Sequence, residues 1–318
     1  MNIFIKFLVA AVAAGTPLLF GTVGEILSEK TGHLNLGVEG MMEMGSCFGF
    51  IVGYHTDNMF LALIAAALGG ALGALIYTVL TVTFMANQNV AGLTLTIFGI
   101  GFANFLGLLE VGKSTEGTLK LPENMTESLQ GMNIPGLSQI PVIGPLLFQY
   151  NLFVYIGLAI AIVCGIYLNR TKMGLNVRAV GENPAAADAA GIPVTKLKYI
   201  NIILGGAICG LGGAYCSMKI NGGVWLKDSV GGLGWIAVAL VIFANWQPVY
   251  AIFGSFVFGA LRVLKYYIPQ SVLPFPQSFY DMLPFLITAI VLVASSMRKS
   301  GHTNMPAYLG MDYFREER

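Results

Sequence analysis

Residues 170–198 read RTKMGLNVRAVGENPAAADAAGIPVTKLK, a polar, helix-capable stretch in a chain that is otherwise apolar. It carries Arg170, Lys172, Arg178, Lys196 and Lys198 against only Glu182 and Asp188. An excess of Lys and Arg in a short loop places that loop on the cytoplasmic side of a membrane. Inside it an Ala-rich run, Pro184 to Ala190, lies between a Gly-Glu-Asn-Pro start and a Gly-Ile-Pro stop. Asn183 suits a helix cap, Pro184 the first helical position, and Gly191 followed by Pro193 the end. The pattern predicts a short surface helix between two spans, on which another protein can push.

The rest of the chain agrees with a membrane class. Of its 318 residues 56% are hydrophobic and 10% charged, and the mean hydropathy is +0.73; soluble proteins carry about a quarter charged residues. A net charge of +1 gives no basic surface for nucleic acid. Cys47, Cys164, Cys209 and Cys216 fall in apolar runs without zinc-ligand or redox spacing and read as small packing residues. His33, His55 and His302 are scattered, so neither a metal set nor a catalytic constellation emerges.

Apolar runs of spanning length lie near 3–27, 34–54, 59–83, 90–111, 151–169, 200–219, 230–246, 249–267 and 281–297. They predict an all-α polytopic integral membrane protein, a single transmembrane domain of about nine helices. The 34–54 and 230–246 runs are short, Gly-bearing and polar-punctuated, as broken or re-entrant segments are. The first run is too long for a signal-peptide core and reads as an uncleaved first helix. The tail, 298–318, holds Arg298, Lys299, Arg315 and Arg318 and goes inside. The 112–150 loop sets Lys113 and Lys120 against Glu116, Glu123 and Glu127 and goes outside. An odd number of spans then leaves the N-terminus outside and the C-terminus in the cytoplasm. The 112–150 loop is rich in Pro, Gly and Asn, so it is expected to be irregular or partly helical; it is either a docking surface or a connector. Dense small residues, among them Gly69, Gly70, Gly73, Gly205, Gly206 and Gly210, predict closely packed helices.

Three segments carry a family resemblance. Arg178–Ile192, RAVGENPAAADAAGI, resembles the cytoplasmic coupling loop of ABC-importer permeases that carry nucleosides or simple sugars, a branched-chain-amino-acid-permease-like family. Glu29–Met42, EKTGHLNLGVEGMM, resembles that family's Gly-x-Leu-Asn-Leu-Gly-x-Glu-Gly-Met-Met segment, and PAYLGMDYFREER, from Pro306 onward, resembles its Pro-x-x-Leu-Gly-x-x-Tyr ending. The chain is most similar to the nucleoside (guanosine/purine) branch. The resemblance implies an ABC-importer permease fold in a bacterial plasma membrane and no cofactor on this chain. The implied partners are an ABC ATPase that uses the ATP, a second permease subunit (a paralogue) and an extracellular solute-binding lipoprotein that delivers a small neutral solute. It also implies that Arg178, Gly181, Glu182, Asn183, Pro184, Ala190 and Gly191 serve coupling to the ATPase.

Polar residues in and between the spans supply the candidate path: Asn35, Glu39, Asn87, Gln88, Thr96 and Asn104. Glu39 and Glu43 stand one helical turn apart in an apolar segment, where a carboxylate is costly and normally faces protein or water. Glu39 either lines the path, anchors backbone groups freed at a broken helix near Gly37 and Gly40, or binds an ion or proton in a secondary transporter. The last is the rival reading of the whole chain. Asn87 suits a helix cap or the lining of a polar mouth. Thr96 and Asn104 share a helix face and suit a hydroxyl-rich solute or ordinary interhelical bonds. Trp235 and Trp246 read as membrane-interface anchors. Gly107-Leu-Leu-Glu-Val-Gly-Lys113-Ser114 fits the letters of a P-loop but ends a membrane helix on the outer side, so it is not a nucleotide site.

Overall fold

The computed structural model describes residues 3–115, 117–132, 143–267, 276–297 and 304–314. Glu116, Arg298, Lys299, His302, Arg315 and Arg318 lie outside the described residues. The helices are α1 (Ile3–Glu29), α2 (Val38–Thr56), α3 (Met59–Thr78), α4 (Gln88–Lys113), α5 (Glu123–Ser128), α6 (Ile143–Leu147), α7 (Leu152–Arg170), α8 (Lys172–Glu182), α9 (Pro184–Ala189), α10 (Val194–Tyr215), α11 (Leu233–Phe243), α12 (Pro248–Val263) and α13 (Gln277–Met297). Wider π turns extend α3 through Val79–Thr83 and α10 through Cys216–Ile220. Each of the nine apolar runs read from the sequence overlaps one of these helices. Among the described residues, six helices are long and apolar enough to cross a membrane: α1, α3 with its π turn, α4, α7, α10 with its π turn, and α12 with the short turn that follows it.

The two doubtful runs differ for opposite reasons. The 34–54 run is not broken: α2 is a continuous helix of 19 residues. It packs on α3, α10 and α4, and Val38–Cys47 are buried throughout. A helix surrounded by protein has no need of an all-apolar surface, which accounts for its two Glu and its glycines. The 230–246 run holds a half-length helix, α11, of only 11 residues. The segment before it, 221–232, is mostly turns and joins the 112–150 loop through Leu121 N–H to Gly223 O at 2.8 Å and Trp225 N–H to Leu119 O at 2.9 Å. That loop is partly helical, with α5 and α6 in it.

The centre of the bundle is α1, α2, α3 and α10. Glycines let these helices touch backbone to backbone, since lipid gives no hydrophobic drive and close packing must supply the attraction. A Cβ on Gly45 of α2 would stand 2.6 Å from the Gly210 carbonyl carbon of α10, and one on Gly70 of α3 would stand 2.7 Å from the Gly210 Cα. All four cysteines are buried and free, as packing residues are.

The two ends of the bundle are distinct. Asn169 bonds Gln247 at 3.0 Å at the end that carries α8, α9 and the 304–314 tail. At the opposite end Tyr267 bonds the Lys6 carbonyl at 3.1 Å, and Asn124 bonds Asp57 at 2.6 Å. The N-terminal end of α1 therefore lies with the 112–150 loop, and the tail lies with the 170–199 segment.

Candidate functional site

The polar end is built by three stretches distant in sequence. Asn183 caps α9: its Oδ1 accepts the Ala186 N–H at 2.9 Å, and Pro184 takes the first turn. The helix stops at Ala190 and Gly191, whose φ of +80° suits glycine. The sequence marked this helix but not α8, which precedes it with its own cap, the Thr171 hydroxyl accepting the Gly174 N–H at 3.0 Å. The 304–314 tail then lies across both. Gly181 O accepts the Tyr308 N–H at 3.0 Å, and a Cβ at Gly181 would collide with the Lys30 carbonyl. Glu182 accepts the Ala307 N–H at 3.2 Å, and the Tyr313 hydroxyl donates to Asp188 at 3.0 Å.

The Glu29–Met42 stretch supplies the third side. Gly310 N–H donates to Gly32 O at 3.0 Å, and Lys30 Nζ donates to the Asn304 carbonyl at 2.6 Å. Burial lowers the Lys30 amine to about 8, against the opposing charge of Glu182. Burial also holds the His33 imidazole well below its ordinary range, and the Lys198 charge adds to this. Arg178 shares a pocket with Lys30, Glu182, Gln247 and Asn304, and its Nε has no partner among the described residues. Pro184 is buried, whereas Glu182, Asn183, Ala190 and Gly191 are exposed at this end.

Deeper in the bundle, four carboxylates are buried among the described residues: Glu25 at 0%, Glu29 at 3%, Glu39 at 3% and Glu43 at 1% exposure. Glu39 accepts the Gly232 N–H at 2.7 Å and the Gly234 N–H at 2.6 Å, and Glu43 accepts the Val230 N–H at 2.8 Å. The freed backbone that Glu39 binds is thus the start of α11, not the glycines beside it in sequence. A carboxylate at the positive end of a helix dipole, taking N–H groups that have no partner within the helix, is a stabilising arrangement.

Glu25 and Glu29 are absent from the residues that polarity in sequence singles out, although their four-residue spacing in an apolar run repeats that of Glu39 and Glu43. Glu25 accepts the Asn35 N–H and the Asn35 Nδ2, each at 3.0 Å, while the Asn35 Oδ1 accepts the Gly37 N–H at 2.9 Å. Glu29 accepts from the indole of Trp246. Trp246 is therefore no interface anchor; it is 5% exposed and closes the foot of α11 onto α1. Trp235, in the first turn of α11, is exposed.

The other polar candidates also meet partners within the chain. Asn87 caps α4 through the Val90 N–H at 3.1 Å. Gln88 accepts the Leu34 N–H at 2.9 Å and donates to Asp312 at 3.0 Å, which ties the tail to the first loop. Thr96 donates to Leu36 O at 2.9 Å. Asn104 donates to Asp228 at 2.8 Å and accepts its N–H at 3.2 Å, where the backbone of Asp228 is left-handed with φ 52°. Thr96 and Asn104 thus face different partners. The P-loop-like letters at 107–113 lie within α4, and Lys113 pairs with Glu110 at 2.5 Å.

Residues 7–292 match a family model described as branched-chain amino acid transport system / permease component. The chain is 38% identical over 257 residues, 80% of its own length and 75% of the other's, to the putative glucose ABC transporter permease protein TsgC13 of Haloferax volcanii. It is 35% identical over 287 residues, 87% and 88% of the two lengths, to the nucleoside ABC transporter permease protein NupC of Lactococcus lactis. It is 31% identical over 320 residues, 97% and 96% of the two lengths, to the guanosine ABC transporter permease protein NupQ of Bacillus subtilis. With its multi-pass helical bundle and its short helix presented at one polar end, the chain belongs to the branched-chain amino acid transport system permease family, the membrane-spanning subunits of ABC transporters.

Proposed function

We propose that this permease imports nucleosides, with glucose-type sugars as the alternative cargo, driven by a separate ATPase that seats against α9. The observation that carries the coupling is the convergence of α8, α9, the first loop and the tail at one end, where α9 is presented on a fixed frame. ATP-driven closure of the ATPase would move α9 and, with it, α10 and the tail, selecting between two packed states of the bundle. Asn183, Pro184, Ala190 and Gly191 shape the seated helix. Gly181 and Glu182 position it by holding the tail against α8, and Arg178 lines the pocket between Lys30, Glu182 and the tail. This end faces the cytoplasm, as its Lys and Arg excess predicts; the 112–150 loop faces outward, toward a solute-binding protein.

The cargo rests on the relatives named for nucleoside, guanosine and glucose transport. Neutral hydrogen-bonding groups suit both cargo classes. The path follows the side where Asn104 meets Asp228 and Trp235 is exposed. Asn35, Glu39, Asn87, Gln88 and Thr96 support that path by fixing the helices around it. A second permease, a paralogue such as the NupP that accompanies NupQ by name in Bacillus subtilis, completes the membrane pair. The rival reading, an ion-coupled transporter using Glu39, meets a carboxylate whose two oxygens already hold backbone N–H groups.

The test is uptake of labelled guanosine, uridine and glucose by cells with and without this chain, each with an active or a dead ATPase. Loss of nucleoside uptake in both defective strains is expected. Loss of glucose uptake alone reassigns the cargo, and uptake that survives a dead ATPase refutes the coupling.

A further inference from the structure

A cavity of about 520 Å³ opens at the polar end beside α9. Its walls come from the end of α9 with Asp188, the start of α10 with Lys196 and Lys198, the first loop with His33, the π turn of α3 with Thr81, and the tail with Asp312. Small-molecule sites occupy about 300–1,000 Å³, so the volume suffices for a metabolite.

Lys198 is only 5% exposed. Among the described residues its Nζ has no hydrogen-bond partner and no carboxylate oxygen within 4.0 Å. Asp312 is the acid whose charge acts on it, across the cavity. Lys198 lines the cavity, and an ammonium on a largely buried side chain that faces such a space is stabilised by an anion that enters. Independently, α10 begins on the same wall. Pro193, Val194, Thr195 and Lys196 line the cavity, and no side chain caps this helix of 22 residues. Its first N–H groups and its dipole favour a negative group there.

The opposite wall is acidic but engaged. Asp312 accepts from Gln88 at 3.0 Å, and Asp188 accepts from the Tyr313 hydroxyl at 3.0 Å. A bare dianion would meet repulsion from this side. A ligand with a phosphoryl group at one end and hydroxyls at the other satisfies both walls.

We propose that this cavity binds a hydroxyl-bearing phosphate monoester, a sugar phosphate or nucleoside monophosphate, with its phosphoryl group at Lys196, Lys198 and the start of α10 and its hydroxyls toward Asp312 and Asp188. The bound ester joins the α9–α10 turn to the tail and to α3. It therefore resists displacement of α9 and slows the cycle when phosphorylated metabolite accumulates on that side. The binding site stands on the cavity and its walls and is independent of which solute the permease carries, whereas the slowing of the cycle rests on the proposed coupling through α9.

Isothermal titration of the purified chain in detergent tests this, with glucose 6-phosphate, guanosine 5′-monophosphate, inorganic phosphate, glucose and guanosine as ligands. Saturable binding of at least one ester is expected, with inorganic phosphate at least about tenfold weaker and no binding of glucose or guanosine at this site. Lys198→Gln is expected to weaken ester binding about tenfold or more, as loss of a charge-assisted bond does. Lys196→Gln, at an exposed position that does not threaten the fold, weakens it in the same direction. Absence of saturable ester binding to the wild-type chain overturns the proposal. So does ester binding unchanged in both variants, or inorganic phosphate binding as tightly as the esters.

Discussion

Glu39 in the first turn of α2 holds Gly234 at the start of α11: the carboxylate accepts the Gly234 N–H at 2.6 Å across 195 residues of chain. A half-length helix in the middle of a membrane protein exposes N–H groups with no water to take them, and this contact is what allows α11 to begin there. Glu39→Ala leaves the Gly232 and Gly234 N–H groups without their acceptor, at a cost of about 1–3 kcal/mol each. Glu39→Ala should lower the thermal midpoint of the detergent-purified chain and reduce uptake, while Glu39→Gln, which keeps one acceptor, should fall between it and wild type. An Ala variant with the wild-type midpoint and uptake would contradict the capping role.

The crossing of α2, α3 and α10 makes a second prediction. Leu at Gly45 must displace the Gly210 backbone, and overpacking of this kind costs about 1–3 kcal/mol or more. Gly101, on the outer face of α4, has nothing within 4 Å of a built Cβ. Size-exclusion profiles of the solubilised chain should therefore show aggregation or loss for Gly45→Leu and a wild-type peak for Gly101→Ala. Equal profiles for the two variants would mean that the glycine crossing is not what holds these helices together.

At the polar end, Asn183→Ala removes the α9 cap, worth about 0.5–2 kcal/mol. Because α9 lies at the surface, the bundle should survive, whereas solute-stimulated ATP hydrolysis by the assembled importer should drop severalfold. Unchanged stimulation would detach α9 from coupling.

The tail contacts predict a graded effect. Tyr313→Phe deletes the bond to Asp188, a loss of about 0.5–1.5 kcal/mol, and Gln88→Ala releases both Asp312 and the Leu34 N–H. Limited proteolysis should cut the tail faster in Gln88→Ala than in Tyr313→Phe, and in both faster than in wild type. Identical cleavage rates would show that the tail is not anchored through these residues.

The fold was legible where one physical signal dominated. Apolar length marked each long span, and Asn183-Pro184 with Gly191 marked α9 because caps are local chemistry. Residue type alone could not say who partners whom. Glu39 looked like a pore or anchor residue, and its target, the start of α11, lay in a run that seemed a short span. Trp246 looked like an interface anchor because Trp usually is one; its bond to Glu29 depends on α1 and α11 meeting. The tail, the first loop and the 170–198 segment were each conspicuous in sequence, but their contact is a tertiary fact. Gln88, a polar residue at a helix start, turned out to join two of them.

The most direct test of the central claim, that α9 is the surface on which the ATPase acts, is site-specific cross-linking in native membranes. Cysteine is placed at Ala189 in α9 and, in a separate variant, at Asn58 at the opposite end of the bundle; the four native cysteines are buried. Cross-linking of Ala189→Cys to the ATPase subunit, altered by added ATP and absent for Asn58→Cys, is the predicted result. Cross-linking of the ATPase to Asn58→Cys, or labelling of Ala189→Cys in intact cells by a membrane-impermeant maleimide, would contradict it.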